Sequence, residues 1–265
     1  MNTQPTRARR RTRLLAVVAA GATLVAGGLW LAPAANAVAD GQDVPDNRYA
    51  FAASLSMPLI TRPDGSTYSS ACSGALVAPN WVITAGHCAH DGARNRIEGP
   101  PRYEIDIMVD SPTRSGHGQN RTAVEVRQSP TEDVALLRLD RPVWGVVPVL
   151  LSRTAPKQGD VLRLAGWGSI DSEADLTHRP DRLQTGQVEV DVVTETDVLV
   201  HGLAPHPTTS ACPYDSGAPY FRRVGPVYFL VATEVEGPDC PHDQDETTAR
   251  IDTIADWITH QILSH

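Results

Sequence analysis

Val188-Glu189-Val190-Asp191-Val192 alternates apolar and acidic side chains at every step. Period two puts successive side chains on opposite faces of an extended chain, so this stretch reads as a half-buried strand. Glu104-Ile105-Asp106-Ile107 repeats the pattern. Working outward, short apolar runs recur at residues 52–59, 74–78, 81–84, 103–109, 122–127, 134–139, 161–165, 187–193 and 227–233. Turn formers such as Asp64-Gly65 and Glu98-Gly99-Pro100-Pro101 separate them. Strands punctuated in this way predict an all-β barrel or sandwich. Residues 249–263 differ: Ile251, Ile254, Ala255, Ile258 and Ile262 fall at helical spacing, with Asp252, Asp256 and His260 elsewhere. That pattern predicts an amphipathic C-terminal helix packed on the strands, with Trp257 as a core aromatic.

The chain has 265 residues, enough for one large domain or two small ones. An apolar share of 41% and a charged share of 20% allow a sizeable core and exclude disorder as the main state. Aromatics at 5%, with 20 Gly and 21 Pro, suit a loop-rich protein better than a helical bundle. Five arginines lie within the first 13 residues and no acid precedes Asp40, which leaves 18 basic against 31 acidic residues from Val38 onward. A body that acidic does not attract nucleic acid or anionic membrane at long range, so neither is expected as a partner.

The basic residues 1–13, the apolar run 14–31 and the small residues Ala35-Asn36-Ala37 form the three-part pattern of a secretory signal peptide. The run is 18 residues long, just enough for a membrane anchor. The A-x-A site and the acidic segment after it favour cleavage, so the expectation is a signal peptide over 1–37, a mature chain 38–265 and no membrane contact afterwards. Arg10-Arg11 also fits a twin-arginine signal, and the sequence does not separate the two export routes. In an oxidising compartment Cys72, Cys88, Cys212 and Cys240 favour disulfides, with three pairings open. No C-x-x-C occurs and the intervals of 16, 124 and 28 do not suit a compact cluster, so no metal or other cofactor is expected.

Three segments carry chemistry. They are Cys72–Leu76 (CSGAL) with Trp81–Cys88 (WVITAGHC), Glu132–Leu137 (EDVALL) and Cys212–Pro219 (CPYDSGAP). Each alone has a bland reading: a packed core histidine, a turn aspartate, a turn serine. Together they supply a nucleophile in Ser216, a general base in His87 and an orienting carboxylate in Asp133, the minimum set for acyl transfer by a hydroxyl. A serine hydroxyl is too weakly acidic to attack unaided, so the imidazole must take its proton.

On these motifs the chain resembles the trypsin/chymotrypsin family of secreted serine proteases. Thr84–Cys88 matches T-A-[AG]-H-C, Asp133–Leu137 matches D-[IV]-A-L-L, Ala165–Gly168 matches the A-G-W-G stretch and Trp257-Ile258 the final W-I helix. The order His, Asp, Ser agrees, with gaps of 46 and 83 residues. The resemblance covers nearly everything from Val38 onward. It implies two antiparallel six-stranded Greek-key barrels with a C-terminal helix, a barrel boundary near 145–160 and the triad in the cleft between. It also implies disulfides Cys72–Cys88 and Cys212–Cys240, and a secreted monomer acting on protein or peptide substrates. A freed Val38 amino group would pair with Asp215, so that signal removal itself creates the active N-terminus. The oxyanion hole is implied at the N–H groups of Tyr214 and Ser216.

The chain departs from the family pattern in two places. Tyr214 stands where G-D-S-G-G-P has its first glycine. Its N–H remains, but a side chain restricts a backbone shape that glycine tolerates. Six residues before Ser216 lies Ser210, a position implied to sit in the substrate pocket, where basic-specific relatives carry Asp. Glu234, Glu236, Asp239, Asp245 and Glu246 read as a solvated loop, and Glu246 would select a basic side chain if directed inward. A catalytically silent secreted binding protein on the same fold is the alternative function. An α/β-hydrolase esterase would need G-x-S-x-G and the order Ser, Asp, His, both absent here.

Overall fold

The computed structural model describes residues 1–2 and 38–264, so the expected signal peptide lies almost wholly outside the described residues. The strands in chain order are β1 (Gln42–Asp43), β2 (Ala52–Thr61), β3 (Thr67–Ala78), β4 (Trp81–Ala85), β5 (Asp106–Val109), β6 (Gln119–Gln128) and β7 (Val134–Leu139). They continue as β8 (Leu150–Leu151), β9 (Val161–Gly166), β10 (Gln184–Val193), β11 (Asp197–Ala204), β12 (Pro219–Val224), β13 (Val227–Glu236) and β14 (Glu246–Arg250). A single α-helix among the described residues, α1 (Ala255–Leu263), follows.

Two closed antiparallel barrels result. The first runs β2-β3-β4-β7-β6-β5 and closes by pairing β5 with β2. The second runs β9-β10-β11-β14-β13-β12 and closes through Tyr220↔Leu164 and Phe221↔Arg163. The short β1 edges β10, and β8 lies parallel to β13. The expected barrel boundary falls in the link between β7 and β9. Closure leaves few free strand edges, which removes the usual route to edge-to-edge association.

Alternation explains the second interior along β10. Val188 and Val190 of β10 are fully buried with Leu162, Leu164, Val198, Val200 and Val231. The pattern breaks at Val192, which is 42% exposed because the register with β11 shifts between Val190 and Val192. Leu55, Leu76, Ile83, Ile107 and Leu137 fill the first barrel. That core continues through Phe221 and Leu230 to Ile254 and Ile258. Tyr49 and Phe51 meet Phe221 edge-on at 4.9 and 5.2 Å between ring centroids, joining the barrels with aromatic contacts of about 1 kcal/mol each beyond area burial.

The helix begins later than its apolar spacing predicts. Ala249 and Arg250 belong to β14, where Ala249 pairs with Asp197 and Thr233, and Ile251 N–H bonds Val231 O. Strand pairing, not a helical face, buries Ala249 and Ile251. Trp257 packs half-buried against the first core cluster.

Candidate active site

His87 sits in a one-turn 3-10 helix, Gly86–Ala89, immediately after β4. Asp133 immediately precedes β7, and β7 pairs with β4, so the sheet register delivers the two side chains together. Gly86 makes the approach possible: a Cβ there would lie 2.6 Å from Asp133 Oδ1 and 2.7 Å from Gln128 Oε1. The carboxylate grips His87 at two points. Oδ1 accepts the His87 backbone N–H at 2.9 Å and Oδ2 meets the ring Nδ1 at 2.6 Å. A carboxylate only accepts, so Nδ1 carries hydrogen and Nε2 is the basic nitrogen. Burial works to raise the Asp133 carboxyl, but the ring hydrogen bond, the His87 charge and the backbone N–H together hold it below its ordinary value.

Ser216 follows the buried Asp215 in a loop docked on the first barrel. Ser73 N–H donates to Ser216 O at 2.9 Å, and Ser73 Oγ donates to Tyr214 O at 3.2 Å. Gly217 has φ +81, and a Cβ on it would strike Thr84 Oγ1 at 2.2 Å and Ser73 O at 2.4 Å. His87, Asp133, Tyr214 and Ser216 line one cleft of about 650 Å³ between the barrels.

Tyr214 adopts φ 77, the left-handed region that glycine occupies without cost. Its hydroxyl donates to Ala174 O at 2.6 Å, and the Arg179 guanidinium carbon lies 5.7 Å from the ring centroid. Ser169 N–H donates to Pro213 O at 2.7 Å. In a trans peptide the C=O and N–H point in opposite directions, so this bond turns the Tyr214 N–H away from Ser169.

Asp215 is fully buried. Gly168 N–H donates to its Oδ1 at 2.8 Å and Cys212 N–H to its Oδ2 at 3.1 Å. Burial dominates these bonds and pushes the carboxyl up to about 8. Val38 is also fully buried, in the second barrel's core with Ala218, and Ala39 exchanges backbone hydrogen bonds with Ser210 at 2.9 and 3.2 Å. Disulfides join Cys72 to Cys88 and Cys212 to Cys240, and among the described residues no cysteine is free.

The pocket acids require a correction. Glu236, Asp239 and Asp245 are exposed, as a solvated loop demands, but Glu234 and Glu246 are 3% and 2% exposed. Glu234, with Ser216, lines a side pocket of about 230 Å³. Ser210 and Glu246 do not line it. Ser210 Oγ accepts the His242 N–H at 3.3 Å, while Glu246 accepts the Ala211 N–H and shares the Tyr220 hydroxyl with Glu234. Burial raises the Glu234, Glu246 and Tyr220 groups, and His242 Nε2, 3.5 Å from Glu246, opposes that rise at Glu246. Sequence reasoning did not find Ser73 or Tyr220. A serine beside a disulfide and a tyrosine in a strand carry no local signal of what they hold.

Comparison with known proteins matches the family model described as Trypsin over residues 39–258. Chymotrypsin-like elastase family member 3B of Homo sapiens is 27% identical over 262 residues, covering 86% of this chain and 90% of its own. Glandular kallikrein of Sus scrofa is 31% identical over 179 residues, covering 57% and 71%. The thrombin-like enzyme ancrod-2 of Calloselasma rhodostoma is 28% identical over 124 residues, 44% of this chain, and the match spans 46% of ancrod-2's length. With two closed barrels, both disulfides and a match over residues 39–258, the chain belongs to the trypsin family.

Proposed function

We propose that the chain is a secreted serine endopeptidase that cleaves peptide bonds of protein substrates through an acyl-enzyme, without metal or cofactor. His87 acts as general base and then general acid. Asp133 fixes its tautomer and stabilises the imidazolium, and Ser216 attacks the carbonyl. The N–H groups of Tyr214 and Ser216 receive the developing oxyanion. Removal of residues 1–37 frees the Val38 amine, which pairs with Asp215 and supplies the cation that this buried carboxyl lacks.

The observation that carries this reading is the two-point grip of Asp133 on His87 in the cleft that Ser216 lines. The left-handed Tyr214 is what favours a silent binding protein instead. The presence of all three residues His87, Asp133 and Ser216 weighs against that alternative, and the Ser169–Pro213 bond fixes the peptide that carries the Tyr214 N–H. A fluorophosphonate probe tests the choice: the mature protein should be labelled at Ser216, and Ser216→Ala should abolish label while unfolding at nearly the same temperature. Label on a different serine, or none, would refute the assignment.

A further inference from the structure

A second cavity, of about 530 Å³, shares no lining residue with the Ser216 cleft. It opens beside β2, β5 and β6, and Arg114, Arg121, Arg141 and Arg179 line it together with Asp106 and Asp140. In a chain with 18 basic against 31 acidic residues from Val38 onward, this is a local concentration of positive charge.

Three of these guanidinium groups are held only by uncharged acceptors. Arg179 donates from Nε to Trp167 O at 2.7 Å and from Nη2 to Ser54 Oγ at 3.2 Å. Arg114 donates to Pro180 O at 3.0 Å and Arg179 O at 2.7 Å. Arg121 donates to the carbonyls of Asn120, Arg141 and Pro142 and to Gln119 Oε1. Among the described residues none of the three has a carboxylate within 4.0 Å. Of the two lining acids, Asp140 is engaged by Arg141 at 2.8 Å and the Thr122 N–H at 3.1 Å. Nearby Asp181 is taken by Ser115.

Carbonyl partners orient a guanidinium but do not cancel its charge; only carboxylates out of contact, Asp181 for Arg114, Asp140 for Arg121 and Asp215 for Arg179, act on these cations, and an incompletely compensated buried cation is costly. Arg179 and Arg121 are 6% and 9% exposed. Burial lowers all three guanidinium groups from their ordinary value, Arg179 to about 10. Planar forks of this kind match oxyanion geometry, and the volume falls in the range of small-ligand sites. We propose that this cavity binds a small polyvalent oxyanion, phosphate-like or polycarboxylate, held by Arg114, Arg121 and Arg179 with Arg141 at the rim. The site stands whether or not Ser216 is a nucleophile.

The test is thermal unfolding of the secreted protein titrated with sodium phosphate, sodium citrate and, at matched ionic strength, sodium chloride. Phosphate or citrate should give a saturable rise of ~5 °C near a hundredfold excess over Kd, and chloride should not match it. Tighter binding of phosphate assigns a tetrahedral oxyanion, and tighter binding of citrate a polycarboxylate. Arg114→Gln should weaken the binding by about tenfold, the worth of one charged hydrogen-bond donor. Should that variant fail to fold, Arg141→Gln at the exposed rim must weaken it at least ~3-fold, since a rim charge is worth less. A rise that does not saturate, that chloride reproduces, or that the folded variants retain in full overturns the site.

Discussion

Asp133 holds His87 by ring and backbone at once, with Oδ2 2.6 Å from Nδ1 and Oδ1 2.9 Å from the backbone N–H. One bond alone would set the ring's tautomer; the second also fixes the turn from which the ring projects. Asp133→Asn keeps the shape but can donate to Nδ1, which puts the hydrogen on the wrong nitrogen. We expect kcat for a small ester to fall by about 10⁴-fold with KM nearly unchanged. A loss under tenfold would mean that His87 does not depend on this carboxylate. The wild-type carboxyl lies below its ordinary value, so the stability it contributes is present above its unfolded value and lost as pH falls through the folded one. Melts taken from pH 7 downward should therefore lose more in wild type than in Asp133→Asn.

In the proposed oxyanion hole, Ser169 and Tyr214 divide one task. The Ser169 N–H holds Pro213 O, and the peptide plane carries that orientation to the Tyr214 N–H. Ser169→Pro removes the donor and should lower kcat by about 10²–10³-fold, the usual effect of losing one oxyanion donor.

Tyr214→Gly should do much less. The peptide is already oriented, so kcat should stay within roughly threefold, an effect small beside loss of the donor itself. Relief of the left-handed backbone is worth ~1–2 kcal/mol, but glycine's extra freedom when unfolded and the lost bond to Ala174 O offset it. Steady-state kinetics and a urea melt measure both; a tenfold gain in kcat would show that the side chain strains the hole.

What could be read in the sequence was local. Thr84–Cys88 and Asp133–Leu137 lie within single strands and the turns at their ends, so their motifs survive as strings. Glu234 did not declare itself. In β13 five consecutive residues are buried, so period two no longer marks inside from outside. Its partners Tyr220 and Glu246 come from neighbouring strands. β14 carries no apolar run for a related reason: its buried Thr248 is satisfied by donating to Val198 O at 2.7 Å. The arginines of the second cavity are spread from 114 to 179 and meet only after the first barrel closes.

Processing should change how stability depends on pH. With Val38 still joined to Ala37, the Asp215 carboxyl is raised to about 8 by burial. Its unfolded value is near 3.8, so stability is full below that pH and falls as pH rises, until the contribution is gone above about 8. A free Val38 ammonium would draw the carboxyl down and remove this slope. Glu234 and Glu246 are raised as well, mainly by burial that both forms share, so the difference between forms reports Asp215 together with its pull on these neighbours. Melts from pH 4 to 8 should compare protein beginning at Val38 with protein beginning at Ala37. Parallel curves, or full activity from the longer form, would rule out the Val38–Asp215 pair.

The wall acid Glu234 should decide which side chain the pocket accepts. Tyr220 OH lies 2.7 Å from Glu234 Oε2 and also bonds Glu246 Oε2. One hydroxyl has one hydrogen, so it can donate to only one of them, and the other carboxyl must bring its own. Glu246 accepts the Ala211 N–H and has His242 Nε2 at 3.5 Å, which favours charge there and the proton on Glu234. The pocket beside Ser216 is lined by Glu234, Glu236 and Asp239 and by no basic residue. A guanidinium entering it would meet acids alone and would draw the proton off Glu234. We therefore predict that arginine is preferred to phenylalanine at the cleaved position, and that the preference grows from pH 6 to 9. Glu234→Gln should cut kcat/KM for an arginine anilide by about 10- to 100-fold, the 1.5–3 kcal/mol of one charged hydrogen bond, and leave a phenylalanine anilide within roughly threefold. If phenylalanine is preferred at every pH, or the glutamine variant lowers both substrates alike, Glu234 acts on the fold and not on selection.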